Sequence, residues 1–166
     1  MSYLNKTKIE NVLKKSNNNI VQYEDNKYFI SNGYCIWIDH NAEFFEEDRY
    51  LREEIEVPEN ERINIRKLVN NLVHDFLDKF DYWKADTIEN CKANSKKCVL
   101  LKNGDWYKII EEKYYKTFKK GCKFLISNNN WVVFVTDKEG LLIGVISSLF
   151  ATIDNIEMWQ MSHWFI

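Results

Sequence analysis

Seven lysines stand in two short runs, Lys8, Lys14 and Lys15 near the start of the chain and Lys113, Lys116, Lys119 and Lys120 well after its middle. An ammonium group meets a phosphate as a point charge and reads no base. Such runs therefore suit weak, salt-sensitive, sequence-independent attachment to a DNA backbone. They suit an ordinary solvated helix face equally well, because lysine is a good helix former and keeps surfaces soluble.

The second charged feature has the opposite sign. Across residues 39 to 61, Asp39, Glu43, Glu46, Glu47, Asp48, Glu53, Glu54, Glu56, Glu59 and Glu61 face only Arg49 and Arg52. A run of this kind is ordinarily a solvated loop or edge. Its sharper reading is an acidic patch for a basic partner, with Glu46, Glu47, Glu53 and Glu54 steering association and Trp159 and Trp164 as buried anchors. That would make the chain a small inhibitor or immunity-type protein that binds a toxin or nuclease through residues 43–61 and the C-terminal aromatics.

Other chemistries lack their residues. Five glycines scattered along the chain build no phosphate loop, and neither H-E-x-x-H nor G-x-S-x-G occurs. His40, His74 and His163 lie far apart; Asp39 and His40 are neighbours on a strand and point to opposite faces. Cys35, Cys91, Cys98 and Cys122 form no metal or disulfide spacing and read as reduced thiols. No catalytic residue, metal or cofactor is therefore assigned, and a non-enzymatic protein is expected, with an enzyme whose scattered carboxylates pair in space as a third reading.

At 166 residues and 20.0 kDa, with 45% hydrophobic and 29% charged residues and a net charge of −2, the chain has the makings of one α+β domain with a single well-buried core. The first residues carry no apolar run, so no signal peptide, no membrane association and a cytoplasmic location are expected.

The elements that must position the charged residues follow from periodicity. Asn5 or Thr7 caps a helix to about Lys15 with Ile9, Val12 and Leu13 inward, and Asn17 to Asn19 end it. The strands IVQYE and KYFIS turn at Asp25-Asn26, and YCIWID follows with Tyr34, Ile36 and Ile38 on one face. Asn64 to Phe80 reads as a long amphipathic helix with Ile65, Leu68, Val69, Leu72, Val73, Phe76, Leu77 and Phe80 along one stripe. Asp81 to Lys97 has no clean period and reads as loop with a short helical turn. KCVLLK and DWYKII form a hairpin at Asn103-Gly104. A helix from Glu111 to Lys120, with Tyr114, Tyr115 and Phe118 inward, stops at Gly121. The strands CKFLIS, WVVFVT and LLIGVIS follow, and Ile153 to Ile166 is an apolar tail.

A helix followed by three strands thus occurs twice, which divides the chain into a first unit (1–40), an acidic insertion with the long helix (41–97), a second unit (98–150) and the tail (151–166). In this pattern NKYFISNGYCIWID, DWYKIIEEKYYKTFKKGCKFLIS and WVVFVTDKEGLLIGVIS resemble one domain of the DNA sliding clamps, the processivity factors of replicative polymerases. The resemblance implies duplicated helix-plus-three-strand units forming antiparallel sheet, with the lysines of both helices directed at DNA. It also implies a small clamp-like protein of viral (phage) or mobile-element origin that binds duplex DNA non-specifically or contacts replication or defence proteins. Residues 41–97 have no counterpart in that family, and a complete ring would require self-association.

Overall fold

A computed structural model describes residues 3–43, 52–53, 59, 64–74, 81–128 and 130–149. In chain order the elements are α1 (Lys6–Lys14), β1 (Ile20–Glu24), β2 (Lys27–Ser31), β3 (Cys35–Asp39), β4 (Arg52–Glu53) and α2 (Ile65–Leu72). There follow β5 (Trp83–Lys84), β6 (Thr87–Ala93), β7 (Lys96–Asn103), β8 (Trp106–Glu111), α3 (Glu112–Tyr115), β9 (Lys123–Ser127), β10 (Asn130–Thr136) and β11 (Leu142–Ser147). The fold is α+β and its strand pairs are antiparallel except for β1 with β4.

Among the described residues the larger sheet has eight strands in the order β4-β1-β2-β3-β11-β10-β9-β5, and β6-β7-β8 form a separate three-stranded sheet. Residue alternation sorts the large sheet's side chains to two faces. Val21, Ile30, Cys35, Trp37, Val133, Val135 and Ile146 share a cluster with Ile9, Val12 and Leu13 of α1 and Tyr114 of α3. Ile20, Phe29, Ile36, Ile38, Val132, Phe134 and Val145 share the other with Ile65 and Val69 of α2. Thus α1 and α3 lie on one face and α2 on the opposite one. Val99, Leu101 and Ile110 of the small sheet join the first cluster.

Local chemistry explains the boundaries. Asn5 caps α1 by accepting from Lys8 N, and Asn19 closes its far end by donating to Leu13 O at 2.6 Å. Asp25 and Asn26 both adopt positive φ, the geometry of a two-residue hairpin turn that asparagine and aspartate tolerate.

Several expectations need correction. Tyr34 stands outside β3 and is exposed, while all five residues of β3 are buried because this central strand is covered on both faces. The helix expected over Glu111 to Lys120 is one turn. Thr117 Oγ1 donates to Tyr114 O, Lys119 N donates to Tyr3 O at 2.7 Å, and Phe118 bridges Leu4, so the chain leaves the helix to pair with the start of α1. Gly121 lies past that bridge. The stretch from Asp81 to Lys97 is not loop: it supplies β5, β6 and the first residues of β7. Asn94 and Ser95, both at positive φ, make its turn. Part of the acidic segment, Arg52–Glu53, is a short edge strand beside β1. For the long helix, the described part is Ile65–Leu72, with residues 75–80 outside the described set.

Candidate functional site

Because α1 buries Ile9, Val12 and Leu13, its residues Lys8, Asn11 and Lys15 rise along the side nearest α3. From α3, Lys113 and Lys116 face them with Glu112. Lys96 and Lys97 come from the start of β7, and Glu111 from the end of β8. Together these side chains line an open groove of about 450 Å³. Six ammonium groups stand against two carboxylates there, so the groove is strongly positive in a chain whose net charge is −2.

The carboxylates neutralise only one side of it. Lys116 pairs with Glu112 at 2.5 Å, Lys96 with Glu111 at 3.4 Å, and Lys113 with Glu111 at 4.0 Å. Lys113 Nζ also sits 5.1 Å from the centre of the Tyr114 ring. Among the described residues, Lys8, Lys15 and Lys97 have no such carboxylate partner. All of these lysines are exposed, so their heads are available to a ligand in solvent.

The seven lysines singled out from sequence divide accordingly. Lys8, Lys15, Lys113 and Lys116 converge on the groove. Lys14, Lys119 and Lys120 are exposed but do not line it. Lys14 ends α1, where a cation complements the helix dipole. Lys119 and Lys120 are drawn past α3 by the Leu4–Phe118 bridge. Sequence reasoning missed Lys96 and Lys97. The available signal was the Asn94-Ser95 dipeptide between two strand-like runs, TIENCKA and KKCVLLKN.

For the acidic reading, Glu46, Glu47, Glu54, Trp159 and Trp164 lie outside the described residues, as does the tail. Glu53 is described only as part of β4. No group of three or more His, Cys, Asp or Glu able to hold a metal occurs among the described residues. His40 Nε2 lies 2.7 Å from Leu142 O; a carbonyl only accepts, so Nε2 carries the proton. His74 is exposed. All four cysteines are free thiols, and burial pushes the Cys35 thiol well up and the Cys91 thiol to about 12. Among the described residues no helix is long and apolar enough to cross a membrane.

What this arrangement can do is electrostatic. It gathers six exposed ammonium groups along one open groove, an arrangement that can hold an anion. No protein-family model, curated protein or solved structure matches the chain.

Proposed function

We propose that this protein is a non-enzymatic, clamp-like binding domain whose lysine groove takes the phosphate backbone of duplex DNA without reading its sequence. The observation that carries the proposal is the convergence of Lys8, Lys15, Lys96, Lys97, Lys113 and Lys116 on one groove between two helices that share a sheet face. The topology supports the clamp comparison. The stretches α1 through β3 and α3 through β11 have the same element order, and they meet through β3 and β11 at the middle of the large sheet.

Attachment of this kind releases counterions, so affinity falls steeply with salt, by a slope of about 0.9 per phosphate neutralised. One domain encloses no duplex, and a ring would need several copies. The test is a titration with a labelled duplex of arbitrary sequence at two salt concentrations, beside a variant carrying Lys8→Gln, Lys15→Gln, Lys113→Gln and Lys116→Gln. Binding at low salt that weakens at high salt and is largely lost in the variant supports the reading. Absence of binding at low salt, or equal binding by the variant, removes it.

A further inference from the structure

The groove does not end at α3. Lys96 and Lys97 of its wall belong to the β6–β7 hairpin, where Lys92, just outside the lining, is paired directly across the strands with Lys97, one step in from the turn-flanking pair Ala93 and Lys96. Directly opposed residues of an antiparallel pair project their side chains from the same face, with Cβ atoms about 4.5–5.5 Å apart. Two like charges in that relation destabilise the hairpin. Both lysines are exposed, and among the described residues no carboxylate pairs with either.

The hairpin cannot relieve the repulsion by slipping. Asn94 and Ser95 at φ 52° and 63° fix a two-residue turn. A shift of one residue would also carry the buried Ala93 and Cys98 to the opposite face. On the inner face, Val99 and Leu101 further along β7 are fully buried and hold that strand to the body. Lys97 itself lines the groove. The result is a fixed register that roots two lysines side by side next to a positive channel, where an anion between them would relieve the repulsion.

Resting on the nucleic-acid reading above, we propose that Lys92 and Lys97 form a phosphate site on the β6–β7 hairpin, which extends the groove and grips the backbone as it leaves the two helices. The ligand chemistry is a phosphate oxyanion, supplied by a phosphodiester backbone or by a free phosphorylated molecule. Charge on an edge strand such as β6 also discourages pairing with other chains. A glutamate at position 92 would serve that purpose equally well, so Lys92→Glu separates the two roles.

The experiment measures thermal midpoints in chloride and in inorganic phosphate at matched ionic strength, together with duplex titrations against salt. It uses the native chain, Lys92→Glu, the double variant Lys92→Gln/Lys97→Gln, and the groove variant Lys8→Gln/Lys15→Gln. Phosphate is expected to raise the midpoint of the native chain and of the groove variant but of neither hairpin variant. Lys92→Glu is expected to melt higher than the native chain in chloride, since it replaces repulsion with an ion pair. The double hairpin variant is expected to lower the salt slope of duplex binding by about two. A native chain indifferent to phosphate, or a phosphate shift that survives in the double hairpin variant, overturns the site. Duplex binding lost in the groove variant but unchanged in the hairpin variants overturns its role in gripping the backbone while the groove reading stands. A hairpin-dependent phosphate shift without any duplex binding keeps the site, assigns it to a free phosphorylated molecule, and removes the nucleic-acid reading instead.

Discussion

Trp37 Nε1 donates a 2.8 Å hydrogen bond to Thr117 Oγ1, which ties the central strand β3 to the residue just past α3. Both residues are fully buried. The Thr117 hydroxyl in turn donates to Tyr114 O at 2.5 Å, and the Tyr114 hydroxyl accepts from Asn32 Nδ2 at 3.2 Å. A single turn such as α3 is too short to persist alone, so it depends on these bonds and on the packing of Tyr114. The position of Lys113 and Lys116 over the groove therefore depends on a buried polar network beneath them.

Thr117→Val keeps the shape of the side chain and deletes the hydroxyl. The indole N–H of Trp37 is then buried without a partner, at a cost of about 1–3 kcal/mol. Urea unfolding is expected to show that loss in the midpoint at unchanged slope, with Thr117→Ser close to the native value. A Thr117→Val protein as stable as the native one would show that the bond contributes nothing.

The neighbouring strand β11 packs tightly against the same region. Gly144 of β11 pairs with Trp37, and a Cβ placed on it would collide with Cζ and Cε1 of the Phe118 ring. Gly144→Ala forces the Phe118 ring out of a packed core, for about 1–3 kcal/mol. Phe118→Leu is expected to cost stability alone yet to restore part of it in the double variant. Additive effects in that cycle would mean that the two sites do not touch.

Much of this architecture was legible in sequence because local chemistry and burial agree there. Ile9, Val12 and Leu13 gave α1 its inner face, Asp25-Asn26 gave the first hairpin, and WVVFVT gave a strand. The legible part of the site was the four groove lysines on α1 and α3. What escaped depends on contacts distant in sequence. Nothing in EEKYYKTFKK says that Phe118 will bridge Leu4, and that bridge is what cuts the helix short and takes Lys119 and Lys120 away from the groove. The β6 strand escaped because its buried residues, Cys91 and Ala93, are small while the apolar Ile88 is exposed on the other face with Asn90 and Lys92, so alternation was weak. With it went Lys96 and Lys97.

Burial raises the Tyr114 phenol to about 12, the Asn32 hydrogen bond opposing that shift, and burial raises Tyr82 likewise to about 12. The folded chain keeps these protons where the unfolded chain, with phenols near 10, releases them. Their contribution is fully present below pH 10 and is lost as pH rises from 10 through 12. Unfolding followed over that window is expected to show falling stability, with a shallower fall in Tyr114→Phe. An equal fall in native and variant chains would place the alkaline sensitivity elsewhere.

The ion pairs of the groove give a prediction of opposite sign. Glu112 occupies Lys116 at 2.5 Å, so part of the groove's positive charge is spent inside the protein. Lys116 is largely exposed, and a solvated pair of this kind adds little to stability. Glu112→Gln removes the competing carboxylate and frees the ammonium group for a phosphate. Tighter duplex binding at low salt is expected, by several-fold and with a salt slope steeper by about one, while the thermal midpoint barely moves. Lys8→Gln and Lys15→Gln, which remove cations without carboxylate partners, are each expected to weaken binding and flatten the slope by about the same amount. Lys119→Gln, outside the groove, is expected to leave the slope where it was. Should Glu112→Gln weaken binding, or Lys119→Gln match Lys15→Gln, the anion does not sit between α1 and α3, and the lysines there are a solvated surface.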